Sequence, residues 1–178
     1  MKIHEYVPNI TTNKQLPLTL NSMPESDFFN SPTKKKQDGT FKYTKVTKNF
    51  SLKATISVEL LSLYDAGGLM VYENENRWIK LVVEKTSDNK INVVSMVTNT
   101  YSDDVIGESV SGDNLDLKIH YQDGFFDFSY AQKGQSARKH RKGFLNLGNI
   151  KKVGFISQSP KGIGTEVKIN NIKYKEYY

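Results

Sequence analysis

YDAGGLMVYENENRWIKLVVEKTSDNKINVVSMVTNTYSDD, residues 64–104, reads as three antiparallel strands built around the chain's single Trp. Gly67 to Tyr72 is a short apolar run, and Glu73 to Asn76 is a polar tip. From Trp78 to Lys85, Ile79, Leu81 and Val83 alternate with Trp78, Lys80 and Glu84. Successive side chains on a strand point to opposite faces, so this period of two marks a strand with one apolar face. A second polar tip, Ser87 to Lys90, precedes Ile91 to Thr98, which is mostly apolar on both faces. Such a strand is expected to be covered on both sides. The stretch therefore predicts a meander within a sheet.

Outward from it the pattern repeats. Phe50, Leu52, Ala54, Ile56, Val58 and Leu60 alternate with Ser51, Lys53, Thr55, Ser57 and Glu59, and Leu115, Leu117, Ile119 and Tyr121 with Asp116, Lys118 and His120. Asp123-Gly124 separates that second run from Phe126, Phe128 and Tyr130, a two-residue hairpin signal. Val153 and Phe155, the turn Ser159-Pro160-Lys161-Gly162, and the run Val167, Ile169, Ile172, Tyr174 predict a closing hairpin that bulges near Asn170-Asn171. No window sustains a 3.6-residue apolar period. Many short strands punctuated by turns predict an all-β sandwich of two antiparallel sheets spanning residues 26–178. Residues 1–25, with Pro8, Pro17 and Pro24, are expected as an irregular lead-in that adds an edge strand at Leu16 to Leu20.

A chain of 178 residues can close a single core without staples. It contains no Cys, which excludes disulfides, thiolate metal sites and thiol nucleophiles. The first residues lack the apolar core of a signal peptide, and no segment reaches the ~20 apolar residues that span a bilayer. A cytoplasmic protein with no membrane partner is the expectation, unless a signal has been removed. The formal net charge of +6 comes largely from Lys34-Lys35-Lys36 with Lys42, Lys45 and Lys48, and from Arg138-Lys139-His140-Arg141-Lys142. Both runs are expected on loops or hairpin tips and carry few interleaved aromatics, which argues against nucleic acid and for solvated or edge-protecting lysines.

Catalytic signals are absent. Retaining glycoside hydrolysis needs carboxyls ~5 to 5.5 Å apart, and same-face neighbours on a strand lie ~6.6 Å apart. Only Glu25/Asp27 and Glu73/Glu75 have the spacing, and both fall outside apolar strands. His4, His120 and His140 lack the spacing of a metal motif, so no metal and no cofactor is expected. Gly67-Gly68 and Gly162-Ile163-Gly164 precede no helix and are expected in turns or close packing rather than around a phosphate.

What remains is a binding face. Trp78, Lys80 and Glu84 share one side of their strand, with Tyr72, Met96 and Thr98 flanking them if the meander pairs in simple register. An aromatic plate beside a cation and a carboxylate suits a sugar, whose apolar ring face stacks while its hydroxyls bond. The competing expectation is that Trp78 belongs to the core and that Lys80 and Glu84, ~13 Å apart along the strand, find cross-strand partners.

The block also carries a family resemblance. Tyr64-Asp65-Ala66-Gly67-Gly68-Leu69, then Trp78-Ile79-Lys80 running into Glu84, a strand ending in Tyr101-Ser102-Asp103, and later Ser157-Gln158-Ser159-Pro160 resemble the bacterial DUF1349 family from about Asp27 to Tyr174. That family's label mentions regulation of enolase, and it belongs to the concanavalin A-like lectin/glucanase superfamily. The chain departs from the pattern at Phe28-Phe29, where a pair containing Trp is expected, and after Asp104, where a Trp is missing. The resemblance implies a jelly-roll fold and an uncharacterised activity. Together the readings predict a non-catalytic domain that binds carbohydrate through Tyr72, Trp78, Lys80, Glu84 and Thr98. The alternatives are a protein-interaction or regulatory domain in metabolism and a glycan-active hydrolase.

Overall fold

A computed structural model describes residues 4–10 and 17–178. Two sheets face each other. The first has seven strands, in the order β1 (His4–Tyr6), β5 (Thr40–Val46), β14 (Lys151–Gln158), β7 (Ala66–Asn74), β8 (Arg77–Ser87), β9 (Lys90–Asn99) and β10 (Tyr101–Ser109). The second has six, in the order β13 (Arg138–Phe144), β12 (Phe125–Ala131), β11 (Leu115–Gln122), β6 (Asn49–Val58), β15 (Glu166–Tyr177) and β2 (Leu18–Asn21). A separate hairpin pairs β3 (Phe28–Asn30) with β4 (Lys35–Gln37). Pairing is antiparallel except for β1, which lies parallel to β5. No helix occurs among the described residues, and none is long and apolar enough to cross a membrane. This is a jelly-roll β-sandwich, the fold that the alternating patterns predict.

The alternation of each strand explains the packing. Ile79, Leu81 and Val83 of β8 face the second sheet and join Leu69 and Val71 of β7, Phe155 of β14, Phe50, Leu52 and Ile56 of β6, and Leu117 and Ile119 of β11 in one core. The central meander pairs in the simple register: Tyr72 lies opposite Trp78 and Trp78 opposite Thr98, with Lys80 between Met70 and Met96. Asp123 and Gly124 both have positive φ, 52° and 86°, and join β11 to β12 directly, as a primed two-residue turn requires. The register of β15 on β6 shifts between Asn170 and Lys173, at the expected bulge.

Three expectations are corrected. The closing hairpin does not form: β14 lies in the seven-stranded sheet and β15 in the six-stranded one, so residues 159–165 cross between layers instead of turning back within one. The chain before Glu25 supplies an edge to each sheet: β2 is the edge strand expected at Leu16 to Leu20, with Leu16 outside the described residues, and β1 is a second edge strand that the pattern does not predict. The basic runs lie mostly in strands, with only Lys34 and Lys48 in the connections between them. Lys35 and Lys36 lie in β4, Lys42 and Lys45 in β5, and Arg138 to Lys142 in β13, where Arg138 pairs with Glu108 at 2.7 Å and Arg141 with Asp103 at 3.1 Å, both on β10. These ion pairs bridge the edges of the two sheets.

Candidate functional site

The outer face of the seven-stranded sheet is covered rather than open. The β3–β4 hairpin lies over it, placing the Phe28 ring edge-on against Trp78 at 6.2 Å and against Phe41 at 6.3 Å. Phe28, Phe41, Ala66, Met70, Trp78, Val82, Val94, Met96 and Ile156 form a second apolar cluster beneath it. Trp78 is 0% exposed and offers a ligand no ring face. The expected stacking plate is therefore replaced by a core residue, because Phe28, fifty positions upstream, occupies the place a sugar would take. The Trp78 indole N–H has no hydrogen-bond partner among the described residues, and its ring instead has the Lys80 ammonium 5.5 Å from its centroid.

Two more of the sequence candidates are also occupied internally. The Tyr72 hydroxyl donates to Gln37 Oε1 of β4 at 2.9 Å, and the buried Thr98 hydroxyl bonds Ser102 at 2.8 Å. Lys80 and Glu84, by contrast, line a cleft of about 380 Å³ just beyond the hairpin. Its walls are Phe29, Tyr64, Met96 and Pro160, and its polar groups Asp27, Lys34, Glu84, Asp104, Gln158 and Lys161 surround Lys80.

Each wall has a local cause. Tyr64 adopts φ of 66° in a tight turn, and the buried Asp65 carboxylate after it holds that turn by accepting the N–H groups of Leu61 and Ser62 at 3.1 and 2.8 Å. The same carboxylate accepts the Ser159 hydroxyl at 2.6 Å, which fixes the start of the crossing segment, between Gln158 at the end of β14 and Pro160. Lys80, 1% exposed, donates to the Phe28 carbonyl at 2.9 Å and to Gln158 Oε1 at 2.7 Å. The Gln158 amide then donates to Asp27 Oδ1 at 3.1 Å, and Asp27 Oδ2 lies 3.7 Å from Lys34. The floor of the cleft is thus a connected polar chain in which an ammonium uses two of its three donors.

Burial and charge tune this floor. Burial lowers the Lys80 pKa, while the carboxylates of Asp27, Glu84 and Asp104 raise it. Burial pushes the Glu84 carboxyl up to about 7, with Lys80 opposing and Asp27 and Asp104 adding to the rise. The Glu84 carboxyl makes no hydrogen bond among the described residues and can donate or accept near neutral pH. Among the described residues no three or more His, Asp or Glu side chains are grouped so as to hold a metal ion.

Of the residues the sequence singled out, Lys80 and Glu84 line this cleft, and Asp27, Asp104, Phe29, Tyr64 and Gln158 line it without having been selected as ligand-binding residues. The search for paired carboxylates ran along single strands, whereas Asp27, Glu84 and Asp104 come from the approach to β3, from β8 and from β10. Asp104 and Lys80 lie in one cross-strand row through Met96, a juxtaposition only the register supplies. Tyr64-Asp65 and Gln158-Ser159-Pro160 were visible as family motif residues, but with no indication that they meet.

Comparison with known proteins places the fold. Residues 6–177 match the family described as "Protein of unknown function (DUF1349)". No curated sequence relative matches the chain. A functionally unknown protein from Saccharomyces cerevisiae superposes with a TM-score of 0.84 at 19% identity, covering 97% of this chain and 95% of that one. A xylan β-1,4-xylosidase from Bacillus halodurans superposes with a TM-score of 0.66 at 14% identity, over 90% of this chain and 33% of the enzyme. A carbohydrate-binding module, CBM66 from Bacillus subtilis, superposes with a TM-score of 0.53 at 12% identity, over 72% of this chain and 76% of the module.

Proposed function

The chain belongs to the DUF1349 family, whose description assigns no activity, and from the geometry of the cleft we propose that this member is a non-catalytic carbohydrate-binding domain. The observation that carries the reading is Lys80, a buried ammonium that makes two hydrogen bonds among the described residues and has a third donor to offer at the floor of an open cleft. Vicinal sugar hydroxyls accept from such a donor and donate to carboxylates, and Asp27, Glu84 and Asp104 supply those acceptors around it. Phe29 and Tyr64 take the part of apolar walls that Trp78 cannot play. The likeness in fold to a carbohydrate-binding module agrees with this class of ligand.

A glycan array followed by calorimetric titration of the best binder tests it. Binding that weakens about tenfold or more in Asp104→Asn, with unchanged melting temperature, is the expected result, since Asp104 is exposed and its loss removes one charge-assisted hydrogen bond. No binding to any glycan would overturn the proposal, and release of reducing sugar from a bound glycan would move it to the hydrolase. A second reading, a protein-interaction domain, draws on Phe125 and Phe144, which are 53% and 59% exposed and pack edge-on at 5.0 Å.

A further inference from the structure

The outer face of the six-stranded sheet carries a feature invisible in the linear sequence. Following the register across it, Lys139 of β13 lies opposite Ser129, Lys118 opposite both Ser129 and Lys53, and Lys53 opposite Lys173. One row therefore runs Lys139, Ser129, Lys118, Lys53, Lys173 across five strands. With ~4.8 Å between strands, it extends for ~19 Å. The next row reads Lys142, Asp127, His120, Ser51, Lys175. Two rows thus hold six lysines, and Lys118, Lys53 and Lys173 are direct cross-strand neighbours.

Like charges directly opposite on adjacent strands oppose folding. Protection of sheet edges does not account for these, because β6, β11 and β15 are interior strands. Internal neutralisation is only partial: Asp116 acts on Lys53 and Lys173, and Asp127 lies opposite Lys142. Lys53 pairs with Asp116 at 2.6 Å, whereas Lys118, Lys139, Lys142, Lys173 and Lys175 have no ion pair among the described residues. Lys53, Lys118, Lys173 and Lys175 border a shallow hollow of about 170 Å³ with Ser51 and Tyr177.

We infer that this face binds an anionic polysaccharide, with the lysine row following a chain that carries one carboxylate or sulfate per ring. The first row is one-signed and linear, the second adds Lys142 and Lys175 around a single carboxylate, Asp127, and the interspersed Ser51 and Ser129 suit hydroxyl contacts. A nucleic acid fits less well, since single-strand binding relies on free aromatic plates. Tyr177 is engaged: His120 lies edge-on to it at 5.6 Å and the Lys175 ammonium sits 5.2 Å from its ring centroid. This inference is independent of the cleft, which lies on the other sheet.

Titration with polygalacturonate oligomers, uncharged dextran oligomers and oligo-dT, at two or more salt concentrations, tests it. Polygalacturonate is expected to bind with an affinity that falls as salt rises, and dextran not to engage this face. Lys118→Gln/Lys173→Gln should weaken polygalacturonate binding roughly tenfold or more. Lys45→Gln/Lys90→Gln, exposed lysines elsewhere with the same change in net charge, should leave it within about twofold. All four positions are exposed, so both variants are expected to fold. Equal weakening in the two variants would reduce the effect to net charge and overturn the site. Absence of polygalacturonate binding, or binding of oligo-dT alone, would overturn the assigned occupant.

Discussion

The two outer faces of the sandwich start from the same alternating pattern and end in opposite states. On β6, the residues turned away from the core are Ser51, Lys53, Thr55 and Ser57, and Lys53 remains half-exposed in the lysine row. On β8, they are Trp78, Lys80, Val82 and Glu84, and the first three are at most 1% exposed. The difference is the β3–β4 hairpin, which roofs the first sheet, whereas on β6 Ser51 and Thr55 are 8% and 9% exposed and Lys53 reaches solvent. A polar residue on an alternating strand is therefore not evidence of a wet face, because a remote segment can bury it provided its polar atoms find partners, as Lys80 does.

Trp78→Ala gives the sharpest test of the roof. It should cost about 3 to 5 kcal/mol in chemical denaturation, the range for truncating a large core aromatic, and the single Trp should emit at blue-shifted wavelength with no response to sugars. A loss below about 1 kcal/mol would show that the hairpin does not seal this face. Lys80→Ala and Lys118→Ala place the same substitution on the two faces. The first leaves the Phe28 carbonyl and the Gln158 amide without their donor and should cost about 1 to 3 kcal/mol. The second should stay within about 0.5 kcal/mol, tending to stabilise as repulsion from Lys53 is relieved.

Glu84 distinguishes the faces by pH. Its carboxyl is raised from 4.5 to about 7, so between those values the folded chain holds a proton that the unfolded chain has released. Stability contributed by that proton is full below about 4.5 and declines as pH rises through about 7. Melting curves of wild type and Glu84→Gln should accordingly diverge over this window, with wild type losing ground as pH rises, and parallel curves would place Glu84 in open water. His4 and His140, both lowered chiefly by burial, act in the opposite direction, and the difference between the two proteins cancels them. Gly124→Val is the most local change. A β-branched residue at φ of 86°, with its Cβ 2.6 Å from the Phe144 ring, should destabilise by about 1 kcal/mol or more whatever covers either sheet.

The strands of the meander, the Asp123-Gly124 turn, the bulge at Asn170-Asn171 and the inward-facing core were legible because each is a local pattern: period two, a dipeptide with positive φ, an interrupted alternation. That Lys80 and Glu84 line one cleft was legible for the same reason, since they are same-face neighbours on one strand. The burial of Trp78, the roles of Asp27, Asp104 and Gln158 in the cleft, the separation of β14 from β15 and the lysine row were not. Periodicity sets which side chains share a face of one strand, but not which strands lie side by side or what is laid over them. Those choices follow from burying the apolar surface of the whole chain at once, and it is they that brought Phe28 over Trp78, set Lys80 among three carboxylates and aligned Lys118, Lys53 and Lys173 on the opposite sheet.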